Sequence, residues 1–266
     1  MICHLWQNSG LVLEKNTHFD IPQAVANAKN DQLRIPEAFQ KNIPSADLSV
    51  NDFLQLNLPT LSNEFISTKP HIWFNNEKPN TNPLCLMSRP IPTKFFLDRL
   101  HDAFGQAWLD GANSISDPQF NDGKDRLPLW CLSFWKEMMT ITKHRKKWAS
   151  SQAWLEWEKT KRIHGKDTVD LIEKALTVIQ AGLKQNLPLS FLHGNTSTID
   201  LTTFLANEWL SDTHINMMME TLLKEVSQNL TLAKSVMITP LAFANEIMNN
   251  GRNGIYLKKH GAAVLC

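Results

Sequence analysis

The chain has 266 residues, of which 42% are hydrophobic, and this is enough apolar material for one sizeable core. Its 27 lysines and arginines nearly balance its 26 aspartates and glutamates, which gives a net charge of +1. This balance excludes a generally basic nucleic-acid binder and argues against a surface that is held to membranes by charge. No stretch approaches the ~18 consecutive apolar residues of a membrane span, and no secretory leader pattern opens the chain. Four scattered cysteines without a CxxC pair are typical of an intracellular protein of the nucleus or cytoplasm.

Residues 1–91 are predicted to form a loosely ordered N-terminal arm. Asparagines recur in this stretch, and its prolines follow one another too closely for long helices. Short apolar runs such as Phe53-Leu54 indicate a loose arm rather than a fully solvated tail. We therefore expect limited proteolysis to remove this arm quickly.

Residues 92–187 are predicted to form a tryptophan-rich helical region in which the hydrophobic core begins. Seven of the nine tryptophans lie between Trp108 and Trp209, and aromatic side chains bury large areas. Apolar residues recur here at spacings of three and four, which is the period of an amphipathic helix. Helices are accordingly predicted over 93–110, 129–162 and 167–183.

Signals for helix ends and for packing accompany these patterns. Gly111 is placed to end the first helix, and Asp167 or Thr168 can cap the third. In such an apolar setting the thiol of Cys131 is interpreted as part of the core rather than as a nucleophile. The apolar stripe predicted for the second helix consists of Cys131, Trp135, Met138, Ile141, Trp154 and Trp157.

The run Lys143-His144-Arg145-Lys146-Lys147 is the one strongly basic segment. It could act as a nuclear import signal or contact phosphates. Charge runs on helices are usually solvated faces, however, and we do not expect nucleic acid as a partner.

The most specific segment runs from Ile199 to Val226, where a loop leads into a helix. Ser211 or Asp212 can cap this helix through a side-chain oxygen. On physical grounds alone, Trp209 would be a packing anchor, and a short strand is predicted over 189–192. The predicted apolar face of the helix consists of Ile215, Met218, Met219, Leu222, Leu223 and Val226.

This segment resembles the opening of the catalytic domain of the Ulp1/SENP-type ubiquitin-like-protein (SUMO) proteases. That family opens with an acidic–apolar pair, a spacer, the tetrad Trp-Leu-Asn-Asp, then Ile-Asn and a helix ending in Leu-Leu. Ser211 replaces the family's asparagine and can still cap the helix. The matching residues are Asp200-Leu201, Trp209-Leu210-Ser211-Asp212, Ile215-Asn216 and Leu222-Leu223. The later run over 236–243 is similar to the family's next strand.

Two upstream segments, Gly105–Ala112 and Asp125–Trp130, resemble the helical region that precedes the protease domain in fungal members associated with mobile elements. The resemblance implies a mainly α chain. Its helical region would be followed, over 188–248, by the first and incomplete part of an α+β cysteine-peptidase domain. The tail over 249–266 departs from the family.

The resemblance also implies two substrate-binding residues. Trp209 would belong to the narrow tunnel that holds the Gly-Gly tail of SUMO or a related modifier, and Asp212 would contact the body of that modifier. A flat aromatic ring above a Gly-Gly backbone admits glycine and rejects larger residues, and a carboxylate can pair with an arginine of the partner. The alternative for Trp209 is an ordinary core tryptophan.

No catalytic residue can be assigned to the chain. The family's thiol chemistry requires a His, an Asp, a Gln and a Cys after the tetrad, but no aspartate follows Asp212 and only His214 and His260 remain. We find no setting for a base beside any of the four cysteines, which are Cys3, Cys85, Cys131 and Cys266. We therefore expect an incomplete and inactive piece of a SUMO-specific cysteine protease.

The alternative function is a non-enzymatic helical interaction module that binds a protein or nucleic-acid partner. No cofactor is predicted for either function. The turn-rich loop over 116–125 lacks the alternating oxygen ligands of a calcium loop, so no metal site is predicted either.

Overall fold

The computed structural model describes residues 21–63, 66, 69–118, 123–189, 196–206, 208–229 and 231. The described chain is mainly helical, as predicted, and contains a small antiparallel sheet. It divides into two compact units that are discontinuous in sequence. Unit 1 consists of residues 1–41 and 59–139, and unit 2 of residues 42–58 and 140–266. This division does not follow the predicted boundaries at 91/92 and 187/188.

The helices account for most of the regular structure. In chain order they are α1 (Ile21–Leu33), α2 (Glu37–Gln40), α3 (Val50–Gln55), α4 (Lys94–Leu109), α5 (Cys131–Lys159), α6 (Lys166–Gln180), α7 (Leu201–Phe204) and α8 (Asp212–Gln228). Short 3-10 turns occupy Pro70–Trp73, Pro83–Met87 and Thr198–Asp200. None of the described helices is long and apolar enough to cross a lipid bilayer.

Three short strands form the sheet of unit 1. The strands are β1 (Phe74–Asn75), β2 (Ser114–Ser116) and β3 (Arg126–Pro128), and β2 lies in the centre. Both pairings are antiparallel, with Phe74 opposite Ile115 and Ile115 opposite Leu127. Because Ile115 and Leu127 are both fully buried, the sheet carries one part of the core of unit 1.

Helix α4 confirms its sequence prediction at both ends. The Thr93 hydroxyl accepts a hydrogen bond from the Phe96 N–H at 3.3 Å and so caps the first turn. Gly111 follows the helix with a φ of +94°, a left-handed conformation that glycine adopts without steric cost. The buried side chains of α4 are Phe96, Leu97, Leu100 and Phe104.

The structure differs from the predicted loose arm over the described part of residues 21–91. Trp73 is fully buried, and its ring lies 4.9 Å from that of Phe96 and 6.5 Å from that of Trp135. The ring of Phe39 packs 5.0 Å from that of Phe134. The prolines do prevent long helices, but isolated apolar side chains are buried by contacts with residues far along the chain, which composition does not reveal.

In unit 2, the segment before α3 pairs with the segment after α6. The Val50 N–H donates to the Leu183 carbonyl at 2.8 Å, and the Gln185 N–H donates to the Leu48 carbonyl at 2.9 Å. The indole N–H of the fully buried Trp148 donates to the Gln185 carbonyl at 2.9 Å. These bonds satisfy backbone groups that would otherwise be buried without partners.

Helices α5 and α6 match their predictions in part. Helix α6 begins at Lys166 after Gly165, so the predicted caps at Asp167 and Thr168 are wrong. In α5 the first four residues of the predicted stripe are buried, but Trp157 is 58% exposed. The buried face changes along α5 because its first nine residues pack in unit 1 and the rest pack in unit 2. The buried residues of the second part include Trp148, Ser151, Leu155 and Glu158.

Candidate functional site

The predicted acidic–apolar pair, Asp200-Leu201, has a structural role. The Ser197 N–H donates to the Asp200 carboxylate at 2.8 Å, which closes a capping box over the 3-10 turn that leads into α7. Ser197, which precedes this turn, also pairs with Pro188 in an isolated antiparallel β-bridge. Of the strand predicted over 189–192, only Leu189 lies within the described residues.

Trp209 lies in the irregular segment 208–211 between α7 and α8, and its side chain is 99% exposed. The alternative of a core tryptophan is therefore wrong. A fully exposed indole leaves a large apolar surface in water, and tryptophan is enriched at protein interfaces. The side chain is available to a partner without any rearrangement of the core.

Asp212 is the first residue of α8, three positions after Trp209, and it is exposed to solvent. Of the two predicted caps, Ser211 is the N-cap of α8. Its backbone N–H donates to His214 Nδ1 at 3.2 Å. The positive end of the helix dipole stabilises a carboxylate at this position. The structure therefore brings both predicted site residues to the N-terminal end of one helix.

The apolar face predicted for α8 is not the face that packs. Met217, which is absent from that prediction, is the buried residue of the helix, and Thr221 lies one turn further along the same side. Met218, Leu222 and Leu223 are each close to half exposed. The period of the apolar residues correctly predicts an amphipathic helix, but it does not say which side meets the rest of unit 2.

An apolar groove of about 360 Å³ lies beside the packed side of α8. Its position is fixed by α7, since the ring of Phe204 meets that of His214 edge to face at 5.3 Å. Apart from one threonine, the described residues that line the groove have apolar side chains. The lining residues are Leu189, Leu201, Phe204, Met217, Met218, Thr221 and Leu222. Most of these residues carry no sequence signal that would distinguish them from ordinary core positions.

The basic run divides between structural and solvated roles. The Arg145 guanidinium donates to the Leu54 carbonyl at 2.9 Å from Nη2 and 3.3 Å from Nε, and so ties α5 to α3. Half-buried His144 has a pKa below its ordinary value, mainly because burial disfavours its charged form and also because Lys147 lies near. The side chains of Lys143, Lys146 and Lys147 are exposed, as expected for a solvated face.

The two described cysteines are poor nucleophiles. Cys131 is fully buried, and burial raises the pKa of its thiol well above the ordinary value. Burial also raises the pKa of Cys85, although Arg89 partly opposes this shift. Cys3 and Cys266 lie outside the described residues, as do His260, the run over 236–243 and the tail over 249–266. Within the described ranges, no group of three or more His, Cys, Asp or Glu side chains could hold a metal ion.

Comparison with known proteins does not assign the chain to a family. No protein-family model, no curated protein and no solved structure matches it. The resemblance to the ubiquitin-like-protein proteases thus depends on the residues of the 200–223 segment themselves.

Proposed function

We propose that the chain is a member of the ubiquitin-like-protein protease family and that its Trp209–Asp212 segment binds a SUMO-type modifier. The observation that carries this proposal is the 99% exposure of the Trp209 side chain at the start of a solvent-facing helix. A tryptophan retained for packing would be buried. Here the residue that the resemblance assigns to substrate binding faces solvent, together with its acidic neighbour.

The two side chains supply complementary chemistry for a modifier tail. The indole face of Trp209 offers a flat apolar surface above which a Gly-Gly backbone fits, whereas a residue with a side chain would be held away from it. Asp212 offers a carboxylate for a charge-assisted pair with an arginine of the modifier. Both groups are exposed before binding, so we expect a weak complex with a polar rim and a single aromatic anchor.

In this proposal the described residues bind the modifier but do not hydrolyse it. A cysteine protease needs a thiolate beside a base, and burial raises the pKa of both described thiols. The hydrolysis of Gly-Gly bonds is therefore expected to require residues other than Cys85 and Cys131.

The test is an NMR titration of isotope-labelled SUMO with the full chain. We expect small shifts near the Gly-Gly tail that are reduced by Trp209→Ala and by Asp212→Arg. Trp157→Ala is the matched control, because it removes a second exposed tryptophan outside the segment. A complex with a Kd of about 1 mM would still give shifts at a chain concentration of about 1 mM. The absence of shifts at that concentration would therefore refute the proposal. Equal losses for Trp157→Ala and Trp209→Ala would also refute it.

A non-enzymatic interaction module is the second candidate function. The observation that favours it is the half-exposed apolar side of α8, with Met218, Leu222 and Leu223. Amphipathic helices that present such a side to solvent commonly dock in grooves of other proteins. A protein partner fits this side better than nucleic acid, because the exposed residues are apolar and the acidic Glu225 lies one helical turn from Leu222.

A further inference from the structure

Helix α8 presents an apolar face with acidic edges, which we call the α8 face. Leu222 and Leu223 form its centre and are both 46% exposed. At 100° per residue, Asp212 lies at the N-terminal end of this face and Glu225 lies on its edge near the C-terminus. Lys224, the only lysine in the helix, lies on the opposite side. Any partner of the α8 face must therefore supply apolar contacts and positive charge.

Helix α5 carries an open groove with matching properties, which we call the α5 groove. It has a volume of about 430 Å³, and Leu54 contributes to it from α3. Ala149 and Ala153 leave room for close approach of another helix, whereas Arg145 and Lys146 make one end basic. The other lining residues are Thr142, Gln152 and Glu156. Next to this groove on the helix surface lies the exposed Trp157.

The α8 face and the α5 groove are similar in length, complementary in shape, and complementary in charge at the basic end of the groove. The groove extends along residues 142–156 of α5, which span about 22 Å at 1.5 Å per residue, and the 17 residues of α8 span about 25 Å. Leucines facing alanines allow two helices to pack closely. The groove is basic at the end formed by Arg145 and Lys146 and acidic at the end formed by Glu156. One carboxylate of the α8 face would therefore lie near Arg145 and Lys146.

We propose that the α8 face of one copy of this chain docks in the α5 groove of a second copy. Pairing two α8 faces with each other is disfavoured, because it would bring like-charged edges together. In a head-to-tail assembly, the first and last copies keep one free groove and one free face. Further copies can therefore add until the assembly closes into a ring or grows as an open polymer. The interface is small and partly electrostatic, and the assembly is therefore weak and weakened by salt.

The test is sedimentation velocity of the full chain over a range of concentrations, at low and high salt. Leu223→Lys places a positive charge on the α8 face, and Ala153→Glu places a bulky acid in the α5 groove. Both positions are solvent-exposed, so the fold should survive, and far-UV circular dichroism checks this. Leu171→Lys is the matched control, since Leu171 is an exposed leucine on α6 that belongs to neither surface.

We expect the wild-type sedimentation coefficient to rise with concentration, less so in high salt, and each surface variant to stay monomeric. An equimolar mixture of Leu223→Lys and Ala153→Glu should form a 1:1 dimer, because one intact face and one intact groove remain. The control variant should assemble like the wild type. A monomeric wild type at all concentrations would overturn the proposal. A monomeric mixture, or dissociation by Leu171→Lys, would overturn it equally. This test is separate from the test of modifier binding, since no variant alters Trp209 or Asp212.

Discussion

Replacement of Trp73 by alanine is expected to destabilise unit 1 by about 4 kcal/mol, at the middle of the range for truncated buried aromatics. Trp73 is fully buried, and its ring packs against those of Phe96 and Trp135 at centroid distances of 4.9 and 6.5 Å. A buried tryptophan covers about 200 Å², and at about 25 cal/mol per Å² this burial contributes about 5 kcal/mol. Residual compaction of the unfolded chain reduces that value.

The assay is urea denaturation of the full chain followed by far-UV circular dichroism. With a slope of about 2 kcal/mol/M, the midpoint of unit 1 should fall by about 2 M. Trp157→Ala is the matched control, because Trp157 is 58% exposed and its loss should change the free energy of unfolding by about 0.5 kcal/mol or less. If the two variants shift the midpoint equally, Trp73 does not belong to a packed core, and a loose arm over residues 1–91 describes the molecule better.

Three further outcomes are expected. The free energy of unfolding should fall as the pH drops below about 6.5, because burial lowers the native pKa of His101 and His144, and the unfolded chain then takes up protons that the native state resists. The contribution of the two neutral histidines to the free energy of unfolding is complete above their ordinary pKa and is lost as the pH falls below it. Urea midpoints measured between about pH 8 and 5 follow this loss, and His101→Gln should make the loss smaller. Native iodoacetamide labelling, mapped by mass spectrometry, should modify Cys85 before the fully buried Cys131, and the reverse order would contradict the packing. Limited trypsin digestion should keep residues 69–118 together, since Trp73 and β1 are packed on α4 and β2; early release of a fragment ending before residue 92 would show that this packing is absent.

The parts of the fold that the sequence predicts well depend on local signals. The predicted helix over 93–110 and its end at Gly111 match α4, because the Thr93 cap seen in the structure and the left-handed glycine both act within one helical turn. The apolar period over 167–183 likewise predicts helix α6, whose buried residues Ile172, Leu176 and Ile179 recur at spacings of four and three. Such features need no information about distant residues.

The parts that the sequence does not predict depend on long-range contacts. The burial of Phe39 and Trp73 requires partners far along the chain, and their proline-rich surroundings give no sign of it. The exposed side of α8 is also invisible in the pattern, because periodicity shows that Leu222 and Leu223 share a side but not whether anything covers it.

For the candidate site, the residues Trp209 and Asp212 come from a family resemblance, and the structure adds only their exposure. Without the resemblance, an isolated tryptophan such as Trp209 is predicted to be a packing residue, because most tryptophans are largely buried. The groove beside α8 was not predicted, because Leu189 and Phe204 approach Met217 only after α7 and α8 have packed. Its lining residues look like ordinary core positions in the sequence.

The split of unit 2 into residues 42–58 and 140–266 has a consequence for synthesis on the ribosome. The Gln185 side chain donates to the Ser45 carbonyl across 140 positions of the chain, and Asn51 reaches the Gln180 carbonyl across 129. At about 5–20 residues per second, the first segment therefore waits roughly 7–28 s for its partners to be translated. During that interval Val50 and Phe53, which are fully buried in the finished protein, remain available to a chaperone.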